Sequence, residues 1–83
     1  MKILYFAWVR QRAGVADEEI ELPASLKTVG DLVEWLKARN EAFGYAFAEP
    51  KAIRAAVDQE HVSFAHPLKD AREIAFFPPV TGG

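Results

Sequence analysis

Hydrophobic residues fill both alternating sets of positions near the start of the chain. The two sets are Ile3, Tyr5, Ala7 and Val9 on one side and Leu4, Phe6 and Trp8 on the other. A strand that is buried on both faces has this pattern, so residues 2–9 are predicted to form a central strand of a sheet. Residues 10–16, which contain Gly14, are predicted to form a turn.

A second strand is predicted over residues 18–22. Hydrophobic and acidic side chains alternate there as Ile20, Leu22 and Glu19, Glu21. This alternation is typical of a strand with one buried and one exposed face. The acidic group at residues 17–19 has no positioned partner for acid–base chemistry, so we expect it to be solvated at the edge of the sheet.

After Thr28 the hydrophobic spacing changes to that of an amphipathic helix. The apolar stripe at i, i+3, i+4 and i+7 contains Val29, Leu32, Val33 and Leu36. Thr28 is a favourable N-cap, and Asp31 three residues later can complete a weaker form of the capping box. Asn40 is predicted to end this helix. The apolar segment 43–47 is predicted to form a short helical turn on the core.

Two further strands are predicted at residues 53–57 and 60–64. Both segments alternate in hydrophobicity, and Asp58 and Gln59 connect them. Residues 67–70 are predicted to form a connecting turn.

The last strand is predicted over residues 73–77. Its two faces carry Ile74 and Phe76 on the core side and Ala75 and Phe77 on the opposite side. Pro78 lacks an amide proton, so regular strand pairing is expected to end there.

This order of elements, strands followed by one long helix and then further strands, predicts an α+β domain. The helix is expected to pack across one face of a mixed sheet, with the apolar first and last strands adjacent in the middle. Such an arrangement is a β-grasp, the ubiquitin-like fold. We expect residues 1–77 to form this domain and residues 78–83 to form an extended C-terminal tail.

Composition narrows the classes of partner. The chain has 83 residues, 51% of them hydrophobic, and a net charge of −2, which suits one small globular domain. No basic surface is indicated, so neither nucleic acid nor an anionic membrane is expected as a partner. No hydrophobic run approaches the roughly 20 residues that span a bilayer. A cytoplasmic location is therefore expected.

The chain contains no cysteine. Disulfides, thiolate metal sites and a cysteine nucleophile are therefore excluded. If the protein carries sulfur, only a carboxyl group can hold it. The chain ends on Gly82 and Gly83, whose lack of side chains makes a thin terminus that can enter a narrow slot. The six residues from Pro78 to Gly83 can reach roughly 20 Å when extended.

Most of the chain resembles the small-subunit family of molybdopterin synthase. The resemblance is carried by residues 2–10, 55–59 and 62–70, and above all by residues 73–83 with their ending Phe-Pro-Pro-Val-Thr-Gly-Gly. One departure is Ala71, because members of the family often have glycine in the turn before the last strand.

The resemblance implies a sulfur carrier. An ATP-dependent activating enzyme would adenylate Gly83, and sulfur would then replace AMP to give a thiocarboxylate. A larger catalytic subunit would receive the tail and supply the catalytic groups, so that sulfur passes to cyclic pyranopterin monophosphate. The resemblance also implies a sulfur donor protein and a heterotetramer. No permanently bound cofactor is expected, and ATP would be used by the activating enzyme.

The same resemblance implies roles for the residues at the carboxyl end. Gly83 would carry the acyl-adenylate and the thiocarboxylate, and Gly82 would fit the narrow end of the partner's channel. The residues expected to bind the partner are Phe77, Pro78, Pro79, Val80 and Thr81. For Phe77 the alternative is a second small core beneath residues 43–47.

Three other functions remain open at this stage. A thiamine-pathway sulfur carrier shares the fold and the Gly-Gly end but tends to be shorter and to lack the Phe-Pro-Pro-Val-Thr lead. A ubiquitin-like modifier would be attached to lysines through Gly83. A plain interaction module would keep its function without Gly82 and Gly83.

Several other polar and aromatic residues suit structural roles better than chemical ones. Arg10 and Arg54 either pair with an acidic partner or are simply solvated. His61 and His66 lack the neighbouring ligands of a metal site and are expected at the surface. Trp8 and Trp35 are expected in the core or at its edge.

Overall fold

A computed structural model of the chain describes residues 1–79. The strands within this range are β1 (Lys2–Tyr5), β2 (Asp17–Glu19), β3 (Arg54–Val57), β4 (Glu60–Val62) and β5 (Glu73–Phe77). The helices are α1 (Ala7–Ala13), α2 (Val29–Lys37) and α3 (Glu41–Ala46), and a 3₁₀ turn spans Pro50–Ala52. None of the helices in residues 1–79 is long and apolar enough to cross a membrane.

The strands form one mixed sheet in the order β2-β1-β5-β3-β4. β1 and β5 are parallel and lie in the middle, while the other neighbouring pairs are antiparallel. Ile3 lies beside Ile74 and Tyr5 beside Phe76 in the central pair. The prediction of an α+β, β-grasp domain with adjacent first and last strands is confirmed.

The prediction of one strand over residues 2–9 is wrong beyond Tyr5. The Phe6 amide still donates to the Phe76 carbonyl at 3.0 Å, but the chain turns at Ala7, whose φ is 53°. Residues 7–13 then form α1, which buries Val9 and Ala13 at a spacing of one helical turn. Residues 10–13 therefore belong to a helix that ends at Gly14, and not to a turn.

The predicted second strand has the right buried side but the wrong length. Ile20 and Leu22 are partly buried against the core, as expected, although regular pairing in β2 ends at Glu19. Strands β3 and β4 are also shorter than predicted. Asp58 and Gln59, with φ values of 47° and 73°, form the two-residue connection between them, as a tight hairpin of the I′ type requires.

The start of α2 confirms the predicted capping box. The Asp31 amide donates to the Thr28 hydroxyl at 3.1 Å, and the Thr28 amide donates to the Asp31 carboxylate at 3.1 Å. Hydrogen bonds from the Lys27 and Thr28 amides lower the pKa of Asp31. The prediction that Asn40 ends this helix is wrong. α2 ends at Lys37, and Asn40 instead caps α3 by accepting a hydrogen bond from the Phe43 amide.

The segment before β5 packs against the start of α2. The Val29 amide donates to the His66 carbonyl, and the Gly30 amide donates to the Phe64 carbonyl at 2.8 Å. A Cβ on Gly30 would lie 3.3 Å from that carbonyl oxygen, so glycine permits this approach. In the next turn the left-handed residue is Asp70, with φ 64°. Ala71 is accommodated because the turn requires no positive φ at its position.

The core lies between the sheet and the three helices. The four apolar stripe residues of α2 are buried, and so are the core-side residues of β1 and β5. An aromatic cluster fills the centre, where the Phe47 ring lies edge-on to Phe76 at 5.1 Å and Phe43 lies edge-on to Tyr5 at 5.5 Å. The prediction that residues 43–47 lie on the core is confirmed. Trp8 and Trp35 pack at its edge.

Candidate functional site

The candidate site is the point at which the chain leaves the sheet. β5 ends at Phe77, which pairs with Arg54 at the start of β3. Pro78 is half-buried and Pro79 is exposed. Because Pro78 has no amide proton, it cannot donate to the strand ladder. The predicted boundary of the last strand is confirmed at both ends.

The rest of the predicted tail lies outside the described residues. Val80 and Thr81, expected to bind the partner, and Gly82 and Gly83, expected to carry the chemistry, belong to this part. Their roles stay predictions. The structure describes the residues that precede them, up to Pro79.

Phe77 lies on the face of the sheet that the helices leave uncovered, which we call the open face. Leu4, Ala75 and Phe77 are half-buried there, and the His61 ring lies 5.1 Å from the Phe77 ring. The alternative of a second core beneath residues 43–47 is wrong, because Phe43 and Phe47 pack on the opposite face with Tyr5 and Phe76. The role of Phe77 in docking stays a prediction.

Phe6 is a candidate for partner binding that the sequence pattern does not identify, because the predicted strand over residues 2–9 includes it. In the structure β1 ends at Tyr5, and Phe6 is the N-cap residue of α1. Its side chain is 48% exposed, and its amide bonds to Phe76, one residue before the end of β5. The N-cap position that ends β1 therefore puts an exposed aromatic side chain beside the exit. Exposed aromatic side chains are frequent at the centres of protein interfaces.

The Arg54 side chain, beside Phe77 at the exit, is held by backbone carbonyls of the segment that precedes β3. Its Nη1 donates to the carbonyls of Lys51 at 3.1 Å and Ile53 at 3.3 Å. It also borders an open groove of about 350 Å³ next to β4. Arg10 is exposed on α1. The pairing of either arginine with an acidic partner stays a prediction.

A polar clamp, formed by Tyr5, Glu18 and Arg39, closes the edge of the core. The Tyr5 hydroxyl donates to Glu18 at 2.8 Å, and Arg39 donates twice to the same carboxylate, at 2.8 and 3.1 Å. Burial raises the pKa of Tyr5, and the Arg39 hydrogen bonds lower the pKa of Glu18. The expectation that the whole acidic group at residues 17–19 is solvated is therefore wrong for Glu18.

The histidine and acidic side chains of residues 1–79 are dispersed over the domain. Within residues 1–79, no group of three or more histidine, cysteine or acidic residues is arranged to hold a metal. No charged residue of this range is fully buried. His66 contributes its backbone carbonyl to α2, and His61 packs on Phe77.

The amino-acid sequence matches a known protein family and curated relatives over nearly its whole length. The ThiS family profile matches residues 3–83. The molybdopterin synthase sulfur carrier subunit of Escherichia coli K12 is 43% identical over 83 residues, covering 100% of this chain and 99% of that protein.

Solved structures agree with the fold. A putative molybdopterin converting factor, subunit 1, from Pyrococcus furiosus superposes with a TM-score of 0.72 at 40% identity, covering 95% of each chain. SAMP1 from Haloferax volcanii superposes with a TM-score of 0.71 at 23% identity, covering 100% of this chain and 98% of that one. At that identity the second likeness supports the fold alone.

Proposed function

The chain belongs to the ThiS family, and we propose that it is the sulfur carrier subunit of a molybdopterin synthase. The observation that carries the proposal is its full-length identity of 43% to the Escherichia coli sulfur carrier subunit of that enzyme. The Phe-Pro-Pro-Val-Thr-Gly-Gly ending supports the same pathway over the thiamine-pathway alternative, whose carriers tend to lack this lead.

The proposed chemistry takes place on the terminal carboxyl group of Gly83. At neutral pH this group is a carboxylate, since its ordinary pKa is about 3.5, and a carboxylate is a poor electrophile. One of its oxygens attacks the α-phosphorus of ATP on the activating enzyme, and pyrophosphate leaves. Hydrosulfide supplied by the donor then attacks the carbonyl carbon, AMP leaves, and the resulting thioacid loses its proton. The product is a thiocarboxylate that can attack the pterin precursor.

We propose that the domain docks on a larger catalytic subunit while the tail enters that subunit. Pro78 and Pro79 restrict the start of the tail, so less conformational entropy is lost on insertion. Phe77 lies on the open face at the base of the tail, and Phe6 is exposed beside it. Together these aromatic side chains are the proposed docking patch. The division into residues 1–77 and 78–83, the heterotetramer and the cytoplasmic location belong to the same proposal.

Intact mass measurement tests the chemistry. The purified chain is incubated with ATP, its activating enzyme and a sulfide source. We expect a gain of about 16 Da, the replacement of one oxygen by sulfur, confined to the C-terminal peptide and absent without ATP. Addition of the large subunit and cyclic pyranopterin monophosphate is expected to return the mass to its starting value as molybdopterin forms.

Two glycine variants separate the terminus from the fold. Gly82→Ala is expected to reduce the mass gain strongly, because a methyl group obstructs a slot shaped for glycine. Gly44→Ala on α3 is the matched control, because its new Cβ would lie an ordinary 3.4 Å from the Lys37 carbonyl oxygen. A chain that never gains the sulfur mass would contradict the carrier function. Lysine-linked adducts formed through Gly83 would favour the modifier alternative.

A further inference from the structure

An open groove lies beside the exit of the tail, at the corner of the sheet where β3 begins and β4 ends. Its volume is about 350 Å³, which is within the range of ligand pockets in proteins. The side chains that give it an apolar surface and two positive charges are those of Pro50, Ile53, Val62, Phe64, Lys51 and Arg54. We call this cavity the exit groove. Such a lining fits an apolar segment that carries a carboxylate.

Arg54 is already oriented for a carboxylate. Its Nη1 uses both of its hydrogens, because it donates to the carbonyls of Lys51 and Ile53. The Nε and Nη2 hydrogens have no acceptor within residues 1–79. These two nitrogens form the edge of a guanidinium that binds a carboxylate through two parallel hydrogen bonds. Because the Nη1 corner is held, less side-chain entropy is lost when this edge binds an anion.

The terminal carboxylate of the chain itself can reach Arg54. Arg54 lies directly opposite Phe77 in antiparallel strands, so their Cα atoms are about 5 Å apart. Pro79 is two residues beyond Phe77 and thus at most about 7 Å from it, which puts the Cα of Arg54 within about 12 Å of Pro79. Residues 80–83 span up to about 13 Å. No described element has to move for the contact to form.

Residues 80–83 also have the chemistry that the exit groove accepts. Val80 is apolar, and the terminal carboxylate is the one charge among these four residues. Gly82 adopts positive φ without strain, so the chain can reverse direction there. A short connection gives an effective concentration in the millimolar range. A contact with a dissociation constant of a few millimolar is therefore occupied for about half of the time.

We propose that the exit groove binds the chain's own carboxyl terminus, with the Gly83 carboxylate on Arg54 and Val80 on the apolar lining. The groove is then a resting position for the tail in the free protein. The contact itself does not depend on the proposed function. Its role as a position that the tail leaves on entering the large subunit rests on that function, and about half occupancy would raise the apparent Kd for the large subunit about twofold.

Nuclear Overhauser effects in the isotope-labelled full-length chain test the contact directly. We expect cross-peaks between the Val80 methyl groups and the side chains of Val62 or Phe64, and between the Gly83 α protons and the Arg54 δ protons. A wild-type chain that shows neither set would overturn the proposal. This measurement needs no partner, so its result is independent of whether the proposed function is right.

Two changes remove one charge of the pair each. Arg54→Met should reduce the cross-peaks about threefold, since an exposed charge pair shifts an equilibrium by up to about fivefold and half occupancy would fall to about one-sixth. Amidation of the Gly83 carboxyl group should have the same effect, and it leaves the groove unaltered if Arg54→Met disturbs the fold.

Arg72→Met is the matched control for net charge. Arg72 precedes β5, so it lies roughly 17 Å from Phe77 along the strand. Its cross-peaks are expected to equal those of the wild type. Equal reduction by Arg54→Met and Arg72→Met would overturn the pair, and so would cross-peaks that neither Arg54→Met nor amidation changes.

Dilution and the large subunit identify other occupants of the exit groove. An intramolecular contact is independent of concentration, so cross-peaks that weaken on about tenfold dilution would assign the groove to the tail of a second copy and overturn the proposal. Saturation with the large subunit of the same organism should remove them, and cross-peaks that persist in the complex would overturn the resting position. A chain that shows the contact but does not bind the large subunit would overturn the proposed function alone.

Discussion

On the helix-covered face of the sheet, Ile74 and Phe76 are fully excluded from solvent, whereas Ala75 and Phe77 in the same strand are half-buried on the open face. Within β5, successive side chains alternate between these two faces of the sheet. The covered face contains the aromatic cluster and supplies stability. The open face leads to the exit of the tail, and we propose that it docks the partner. Phe76 and Phe77 are thus neighbours in sequence with separable roles.

The largest expected effect is on the covered face. Phe76→Ala should lower the free energy of unfolding by about 3–5 kcal/mol, because it removes a buried ring from the cluster with Phe47 and Tyr5. Urea unfolding followed by circular dichroism measures the change. A loss of less than about 1 kcal/mol would mean that the covered face does not hold the fold as described.

The matched substitution on the open face is expected to act on binding. Phe77→Ala should cost less than about 1.5 kcal/mol of stability, since the ring is only half-buried and its aromatic neighbour is the tilted His61 ring at 5.1 Å. Its Kd for the large subunit should rise about tenfold, as for an aromatic side chain near the centre of an interface. If Phe77→Ala destabilises the fold as much as Phe76→Ala does, the two faces are not separable.

A smaller, pH-dependent effect is expected at the polar clamp. The pKa of Glu18 in the folded protein is lowered, mainly by the Arg39 hydrogen bonds. Its contribution to stability is therefore present above the unfolded-state pKa of about 4.3 and is lost as pH falls through the folded-state pKa. Glu18→Gln should cost about 1–2 kcal/mol at pH 7, and the difference from the wild type should shrink towards zero in acid.

Urea unfolding at a series of pH values measures this difference. Glu19→Gln is the control, because the Glu19 side chain is 75% exposed and pairs with the amino terminus. A gap between Glu18→Gln and the wild type that stays constant down to pH values well below 4 would show that the charge of Glu18 does not stabilise the fold.

Elements whose signals are local in sequence were predicted closely. The α2 cap depends on Thr28 and Asp31, which are three residues apart, and the β5 boundary depends on Pro78 directly after Phe77. The start of the amino-terminal helix was missed. Apolar residues at every position from Ile3 to Val9 fit both a buried strand and a helix that follows a strand, and periodicity alone does not separate the two.

The candidate site was predicted only in part. Phe77 and the proline exit follow from alternation and from the chemistry of proline, and the structure places them at one end of the sheet. The exposure of Phe6, the contact of Arg12 with the Trp8 and Tyr45 rings, and the polar clamp do not follow from the sequence pattern. Arg12 and Tyr45 lie in different helices, and Arg39 pairs with Glu18 across 21 residues of sequence. No local pattern reports such contacts.

The sequence by itself determined the capped helix, the alternation of β5, the absence of thiol chemistry and the glycine terminus, because each depends on residue type and short spacing. The tertiary structure decided where β1 ends, which faces are covered and which distant side chains meet. The physical reason is that the Phe6 amide still finds a partner in the Phe76 carbonyl of β5. The chain can then turn at Ala7, so that Val9 and Ala13 reach the core from a helix. That packing, and not the local pattern, puts the start of α1 beside the exit of the tail.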